Sequence, residues 1–293
     1  MLLDPTRPVM VQGITGREAT MMVADMQAHG SSIVAGVTPG KGGLRVHGVP
    51  VYDTVDQAVQ EHRPPISIVS VPAAAALDAA LEAIAHRVRL CVVMTERVPI
   101  LDACKIIQAA KKTGCTVIGP NSLGLIRPGV GKLGTIGGRI DNVRRSFTPG
   151  RVAILSRSGG MTTEISSFLT EHGIGQSIAV GVGGDRIVGS NFTELVISLE
   201  KDNQTDAIVI FGEPGGTAEE QLADHLKQNG MRKRIVALLA GQFVDELEGV
   251  RFGHAAVMVQ GGRGSTQAKA AALKGAGVTV AESFEDIVTG VQA

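Results

Sequence analysis

The chain has 293 residues, long enough for two domains of ordinary size, each with its own hydrophobic core. Its 28 basic and 28 acidic side chains cancel, which argues against partners bound mainly by electrostatics, such as nucleic acids or anionic membranes. Aromatic residues make up only 3% and Trp is absent, so platforms for stacking nucleic-acid bases are not expected.

The first half of the chain alternates short apolar runs with segments of helical periodicity. This alternation favours an α/β fold with a parallel, doubly wound sheet, and we assign residues 1–128 to a Rossmann-like domain. The predicted strands are 9–11, 32–34, 66–71, 90–94 and 116–118, and the predicted helices are 20–28, 55–61, 73–85 and 100–112.

The same alternation restarts after residues 119–150, which are rich in Gly, Pro and Arg and are typical of a connection between domains. It predicts a second parallel-sheet domain, flavodoxin-like, over residues 129–293. The predicted strands are 152–155, 177–182, 207–211, 235–239 and 278–280, and the predicted helices are 161–172, 191–200, 217–229, 265–276 and 283–291.

Three cysteines lie in or beside apolar segments, at Cys91, Cys104 and Cys115. Their odd number and irregular spacing favour reduced thiols, and thus a cytoplasmic protein. The first residues lack the apolar core of a signal peptide, and no run reaches membrane-spanning length. The mitochondrial matrix is the alternative if a targeting segment has been removed.

No CxxC or HxxxH pair occurs, so no metal site is expected.

A glycine-rich turn follows the first predicted strand. Gly13, Gly16 and Ala19 give a GxxGxxA spacing, unlike the GxGxxG of dinucleotide sites, and the next helix offers free N–H groups to a phosphate. Residues 34–39 lack the acid that would bind the ribose of NAD, and Lys41 follows them. The ligand is therefore expected to carry a phosphate there, as NADP or coenzyme A does. A plain strand-to-helix turn is the alternative.

A second anion site is predicted where the strand 152–155 ends. Ser156, Ser158 and Gly159 supply hydroxyls and free N–H groups at the start of a helix. Glu213 follows another strand of the same domain, and ligands of open parallel sheets collect at the carboxyl ends of strands. The alternative role for this glutamate is to cap a helix.

His254 lies among small residues, ahead of a glycine-rich turn. Small neighbours let a reactant approach the ring, and a neutral imidazole is a nucleophile near neutral pH. A carboxylate such as Glu213 can fix the tautomer of the ring and stabilise its charged form. A histidine in a glycine-rich loop can also serve only the turn, so the imidazole alone does not establish catalysis.

Taken together and in order, these motifs resemble the alpha subunit of succinyl-CoA synthetase and its close relatives. The matching segments cover nearly the whole chain: VQGITG, AGVTPGKGG, VPVYDTVDQAV, MTERVPILD, IGPNSLG, ILSRSG, GVGGD with GSNF, FGEPGGTAEE, and GHAAV with GGRGS. The resemblance implies a CoA-binding domain followed by a ligase domain. It also implies synthesis of an acyl-CoA from a small carboxylic acid, coenzyme A and ATP or GTP, through a phosphohistidine and an acyl phosphate.

The resemblance further implies a role for each matching residue. His254 would carry the phosphoryl group, and Glu213 would pair with it. The phosphate would be held by Ser156, Ser158 and Gly159. The acid substrate is assigned to Asn121, Ser122 and Thr163. Coenzyme A is assigned to Thr15, Gly16, Arg17, Glu18, Lys41, Met94, Thr95 and Glu96.

Departures from the family pattern concern the acid pocket. Ser122 and Leu123 replace the Cys-Pro of GPNCPG, and Thr163 replaces the Tyr of SRSGTLTYE. Arg186 and Val188 stand in the segment that succinate enzymes read as GGDPIPGS. A basic stretch ahead of the histidine is also replaced. We therefore expect phosphohistidine chemistry with succinate, malate, citrate or another small acid.

The chain contains no GxxxxGK[ST] loop for a nucleotide. The resemblance implies an ATP-grasp beta subunit that binds ATP or GTP with Mg, in an αβ or α2β2 assembly, and a chain that is inactive alone. Two alternatives are a CoA-binding regulator or scaffold without turnover, and an NADP-dependent oxidoreductase. The GxxGxxA spacing disfavours the oxidoreductase.

Overall fold

The computed structural model describes residues 4–241 and 264–293. Within these two ranges, two seven-stranded sheets follow one another along the chain, with helices packed against them. The α/β class and the predicted strands and helices of both halves are confirmed, with boundaries that differ by a few residues.

The first sheet has the strand order of a Rossmann-like domain, β3-β4-β2-β1-β5-β6-β7. Its strands are β1 (Val9–Gln12), β2 (Ile33–Val37), β3 (Arg45–Val46), β4 (Val49–Tyr52), β5 (Ile66–Val69), β6 (Leu90–Val93) and β7 (Thr116–Ile118). All neighbours pair in parallel except the β3–β4 hairpin. Its helices are α1 (Arg17–Ala28), α2 (Val55–His62), α3 (Ala76–Ala85), which follows a 3-10 turn at Ala73–Ala75, and α4 (Ile100–Thr113).

The central strands of this sheet are apolar along their whole length because helices cover both faces. All residues of β1, β5 and β6 are buried. The chain runs outward to β2 on one side of β1 and to β5 on the other, so the strand order reverses between β1 and β5. Such a switch point leaves a crevice at the carboxyl ends of the two strands.

The second sheet has the order β14-β13-β12-β10-β11-β8-β9. Its strands are β8 (Gly124–Arg127), β9 (Gly131–Leu133), β10 (Pro149–Ser156), β11 (Gln176–Gly181), β12 (Ala207–Gly212), β13 (Arg234–Leu239) and β14 (Thr279–Ala281). The five strands from β10 onward are parallel, and β8 is antiparallel to both of its neighbours. Its helices are α5 (Ile140–Ser146), α6 (Gly159–Glu171), α7 (Phe192–Glu200), α8 (Ala218–Asn229), α9 (Thr266–Lys274) and α10 (Phe284–Gln292).

Residues 119–150, predicted to be a connection, instead complete the second sheet with β8 and β9 and add α5. Gly124 has φ +90°, and a side chain there would overlap the Leu133 carbonyl, so glycine is needed where β8 meets β9. By sheet membership the second sheet begins at Gly124, and the proposed division of the chain after residue 128 stays a prediction.

Polar contacts join the two sheets beside β9. The Ser31 hydroxyl donates to the Lys132 carbonyl at 2.6 Å and accepts from the Lys132 N–H at 3.0 Å. The Lys132 side chain is fully buried, and its ammonium donates to the carbonyls of Ile136 and Gly138 at 3.1 and 2.7 Å. Burial lowers the pKa of Lys132 to about 8. This lysine holds the chain between β9 and α5.

The three cysteines are free thiols, and burial raises the pKa of Cys91 and Cys115. Over residues 4–241 and 264–293, every helix is too short or too polar to cross a membrane.

Candidate active site

A cleft of about 760 Å³ opens at the switch point of the first sheet. The loops after β1, β5 and β6 form its walls. Six of the eight residues predicted to bind coenzyme A line it, namely Gly16, Arg17, Glu18, Met94, Thr95 and Glu96. The fold thus brings together two motifs that are almost 80 residues apart in the sequence.

The first wall of the cleft is the glycine turn between β1 and α1. Gly16 precedes α1, and no side chain of the described residues caps that helix end. The first N–H groups of α1 are therefore available to an anionic ligand. Gly13 has φ +78°, and a Cβ there would overlap the Ser70 carbonyl, so this glycine lets the β1 loop cross the β5 loop closely.

Two glycine substitutions separate folding from ligand binding in this turn. Gly13→Ala should lower the free energy of unfolding by about 1–3 kcal/mol, because it combines a left-handed backbone with an overlap. Gly16 has an ordinary φ of −67°, and a Cβ there would lie 3.2 Å from the Gly13 carbonyl oxygen. Gly16→Ala should therefore lower the free energy of unfolding by about 1 kcal/mol or less. Its methyl group would narrow the cleft and weaken coenzyme A binding.

Urea unfolding and titration calorimetry measure the two effects. The expected pattern is a destabilised Gly13→Ala protein and a stable Gly16→Ala protein with reduced affinity. Wild-type affinity in the Gly16→Ala protein would place the start of α1 outside the coenzyme A site.

The other two predicted coenzyme A residues lie on neighbouring loops and are not part of the cleft wall. The hydroxyl of Thr15 lies 3.2 Å from that of Thr38, which joins the loops after β1 and β2. Lys41 is exposed in the loop after β2. Asp53 supports that loop, because its carboxylate accepts from the Gly42 N–H at 2.8 Å. The loop thus holds a cation beside the first sheet's carboxyl edge.

Sequence reasoning missed the wall formed by Ser70, Val71, Pro72 and Ala73. The apolar run 66–71 predicted a strand throughout, whereas β5 ends at Val69. Pro72 was the available signal, because proline lacks the N–H that a central strand needs.

Hydrogen bonds of Thr95 join the loop after β6 to both of its neighbours. The Thr95 hydroxyl donates to the Val71 carbonyl at 2.7 Å. The Thr95 carbonyl accepts from the Asn121 N–H at 2.9 Å. The predicted coenzyme A loop therefore leads directly to the segment that precedes the second sheet.

Two of the three residues assigned to the acid substrate, Asn121 and Ser122, lie in the junction loop, residues 119–123, which joins the two sheets. The Asn121 amide donates to the Asp185 carboxylate at 3.1 Å. The Ser122 hydroxyl is buried, donates to the Gly181 carbonyl at 2.5 Å and accepts from the Gly124 N–H at 2.8 Å. These bonds shape the loop. Thr163 lies in α6, half-buried. Contact of these three residues with an acid stays a prediction.

The predicted phosphate loop lies where β10 ends and α6 begins. The Ser156 hydroxyl donates to the Ser158 carbonyl at 2.7 Å and accepts from the Ser158 N–H at 3.1 Å, so it shapes the turn. The Ser158 hydroxyl caps α6 by accepting from the Met161 N–H at 3.4 Å. A Cβ on Gly159 would overlap the Leu123 side chain, so the turn packs directly on the junction loop. The other N–H groups of the first turn can face an anion.

A smaller cleft, of about 360 Å³, lies among the loops after β10, β11 and β12. Arg157 and Arg186 both line it, and the Arg157 guanidinium donates to the Asp185 carbonyl at 2.8 Å. Val188, the other departure in this segment, lines it as well. Two guanidinium groups suit a ligand with carboxylate or phosphate groups.

Glu213 lies half-buried in the loop between β12 and α8, at the same edge of the sheet as the phosphate loop. His254 belongs to residues 242–263, outside the described residues, so its pairing with Glu213 stays a prediction. The residues on either side of that segment adjoin the Glu213 loop. The Ala240 N–H donates to the Gly212 carbonyl at 3.0 Å, and the Gly264 carbonyl accepts from the Gly215 N–H at 2.8 Å.

The two halves of the chain match two family models. Residues 4–97 match the CoA binding domain, and residues 155–279 match the CoA-ligase model. The protein therefore has the CoA-binding and CoA-ligase parts of an acid–CoA ligase in that order, as the sequence predicted.

Curated relatives specify the family. The chain is 42% identical to the alpha 1 subunit of the ADP-forming succinate–CoA ligase of Archaeoglobus fulgidus, over 100% of this chain and 97% of that subunit. It is also 42% identical to the alpha subunit from Methanothermobacter thermautotrophicus, over 100% of this chain and 96% of that subunit. The chain belongs to the family of alpha subunits of ADP-forming succinate–CoA ligases, which confirms the predicted family and its class of enzyme.

One solved structure extends the comparison. ATP citrate lyase from Methanothrix soehngenii, in complex with citrate and coenzyme A, matches with a TM-score of 0.92 and 26% identity. The match covers 100% of this chain and 50% of the lyase chain, so this chain spans about half the length of that protein.

Proposed function

We propose that the chain is the alpha subunit of an acid–CoA ligase that converts a small carboxylic acid, coenzyme A and ATP or GTP to an acyl-CoA, a nucleoside diphosphate and phosphate. One observation carries the proposal. Residues predicted to bind coenzyme A line a cleft at the edge of the first sheet, and the junction loop connects this cleft to the turn at the edge of the second sheet that is predicted to hold the phosphate.

The proposed reaction has three transfers. The His254 imidazole takes the phosphoryl group from the nucleotide. The substrate carboxylate then takes it from the histidine, forming an acyl phosphate, and the thiol of coenzyme A attacks the acyl carbon and releases phosphate. This division avoids a direct attack on an unactivated carboxylate.

The chain's own groups have distinct parts in this scheme. Glu213 orients the imidazole and stabilises its charged form. The N–H groups at the start of α6 hold the phosphoryl group in a fixed position, so little reorganisation is needed during transfer. The start of α1 and Lys41 bind the phosphates of coenzyme A.

The nucleotide and its Mg²⁺ are proposed to bind a partner. The sequence has no nucleotide-phosphate loop of the GxxxxGK[ST] type, and the chain belongs to a family of alpha subunits. We propose a beta subunit with an ATP-grasp fold, in an αβ or α2β2 assembly in the cytoplasm.

Lys41→Glu should weaken coenzyme A binding by about 1–3 kcal/mol, because an attractive charged contact becomes repulsive. The Asp53 contact to the loop uses the Gly42 backbone, so it survives the substitution. Lys201→Glu makes the same charge change on an exposed residue after α7 and is the matched control. Titration calorimetry that gives equal affinities for both variants would remove Lys41 from the site.

The arginine pair favours a second candidate within the same family, a malate– or citrate–CoA ligase subunit. Arg186 stands where succinate enzymes typically have proline, and it lines the same cleft as Arg157. A second guanidinium at the carboxyl edge suits an acid with a further carboxylate or hydroxyl group. The similar lyase structure was determined with citrate, which agrees with this direction.

An acid panel with the reconstituted pair tests the two candidates. Succinate, malate, citrate and acetate are compared for acyl-CoA formation by the wild type and by Arg186→Pro. The second candidate predicts that malate or citrate is preferred, and that Arg186→Pro lowers kcat/KM for that acid by about 10-fold or more. A preference for succinate that Arg186→Pro leaves unchanged would contradict it and leave the succinate ligase.

A further inference from the structure

A fully buried ion pair lies against the loop that carries Glu213. The side chains of Lys269 on α9 and Glu219 on α8 are both only 1% exposed, and the ammonium donates to the Glu219 carboxylate at 2.6 Å. The same ammonium donates to the carbonyls of Glu213 and Gly215, each at 2.7 Å. An ammonium group has three N–H donors, so all three are used on protein acceptors.

A buried ion pair carries a large desolvation penalty compared with apolar side chains in the same place. Removing two charges from water is expensive, and apolar side chains of similar volume often stabilise a protein as well or better. One oxygen of Glu219, Oε1, has no hydrogen-bond partner among the described residues, and burial raises the pKa of this carboxyl. The contacts of Lys269 with the backbone are what an apolar residue could not supply.

These contacts fix a loop that other bonds connect to the rest of the site. Gly215 donates from its N–H to the Gly264 carbonyl at 2.8 Å, and the Gly264 N–H donates to the Glu220 carboxylate at 3.0 Å. Lys269 follows Gly264 by five residues, on the first turn of α9. The ammonium therefore joins the end of β12, the start of α8 and the start of α9 at one point.

We propose that Lys269 is a positioning residue for the ligase reaction: it fixes the backbone from Glu213 to Gly215 and thereby holds the Glu213 carboxylate in place for the phosphoryl-accepting histidine. The proposal rests on the proposed function of this site. Lys269 does not itself contact the reacting groups, because it is buried and its donors are all engaged. Its effect is on the geometry of transfer, where displacements near 1 Å cost about 100-fold in rate.

The test uses the complex with its beta-type partner and a variant with both charges removed, Lys269→Met with Glu219→Gln. Lys269→Met alone would strand a buried carboxylate and could unfold the protein, whereas the double variant leaves no unpaired charge. The expected result is a folded complex in which kcat falls by about 10- to 100-fold. KM for coenzyme A should change by less than about twofold, because the coenzyme A cleft lies on the other sheet.

Lys132→Met is the matched control. Lys132 is likewise a fully buried lysine with an ammonium on two backbone carbonyls, but it lies on β9, four strand positions from β12. This variant should leave the backbone around Glu213 as rigid as in the wild type, since the loop that Lys132 holds lies away from Glu213.

Hydrogen exchange of the amides at 212, 213 and 215–217 provides a readout that does not depend on turnover. We expect faster exchange there in the double variant and wild-type exchange in Lys132→Met. Unchanged exchange, or an unchanged kcat in an active complex, would overturn the positioning role. If the wild-type complex turned over no acid while the loop still exchanged faster in the double variant, the proposed function would fail and the structural restraint by Lys269 would stand.

Discussion

A complex in which His254 is replaced by Asn should form no acyl-CoA from nucleotide, acid and coenzyme A. Asparagine has no ring nitrogen that can take a phosphoryl group, and loss of a covalent nucleophile removes about 10⁴-fold or more of the rate. The substitution replaces one polar side chain by another and removes no large apolar group, so the protein should remain folded. Acyl-CoA formation and circular dichroism measure the two expectations.

His172→Asn is the control for this substitution. His172 is an exposed histidine at the end of α6, on the ligase half of the chain, and the proposed reaction does not use it. Its complex should keep wild-type activity. Full activity of the His254→Asn complex would mean that another residue accepts the phosphoryl group.

The isolated chain should show no turnover with any combination of ATP or GTP, acid and coenzyme A. It carries the cleft proposed to bind coenzyme A and the proposed acceptor histidine, but no nucleotide-phosphate loop of its own in the sequence. Adding an ATP-grasp partner should produce activity, and a coupled assay for nucleoside diphosphate release measures it. Turnover by the homogeneous isolated chain would contradict the requirement for a partner.

The same experiment separates the ligase from a regulator. A CoA-binding scaffold would bind coenzyme A in calorimetry and stay inactive with every partner and acid. Activity that appears only in the reconstituted complex would rule out that alternative.

The sequence predicted the parallel cores of both sheets because burial on two faces makes strands uniformly apolar. Every residue of β11 and β12 is buried, and each matching run was visible between helical segments. The antiparallel edges were missed. β3 has two residues and β9 has three, and such short strands depend on pairing partners that local periodicity does not reveal.

The candidate site was predictable to the extent that it consists of loops with glycine and hydroxyl residues after strands. Residues 16–18 and 94–96 line one cleft as expected, because the carboxyl ends of parallel strands meet at one edge. The loop at 70–73 was missed because its apolar residues continue the pattern of β5.

Lys269 shows a second limit of sequence reasoning. From the sequence, a lysine in a helix rich in alanine is expected on the solvent-exposed face of that helix, since lysine is almost never fully buried without a partner. Its burial depends on Glu219, 50 residues earlier, and on two loop carbonyls. Only the folded chain brings these groups together.

Transfer of a label from nucleotide to this chain tests most directly whether the chain is the phosphoryl-carrying subunit of an acid–CoA ligase. The complex is incubated with γ-labelled ATP or GTP and its subunits are separated. We expect an acid-labile, base-stable label on this chain, absent from the His254→Asn protein, that acid substrate and coenzyme A together discharge. A label that stays on the partner, or that appears in full on the His254→Asn chain, would contradict this assignment.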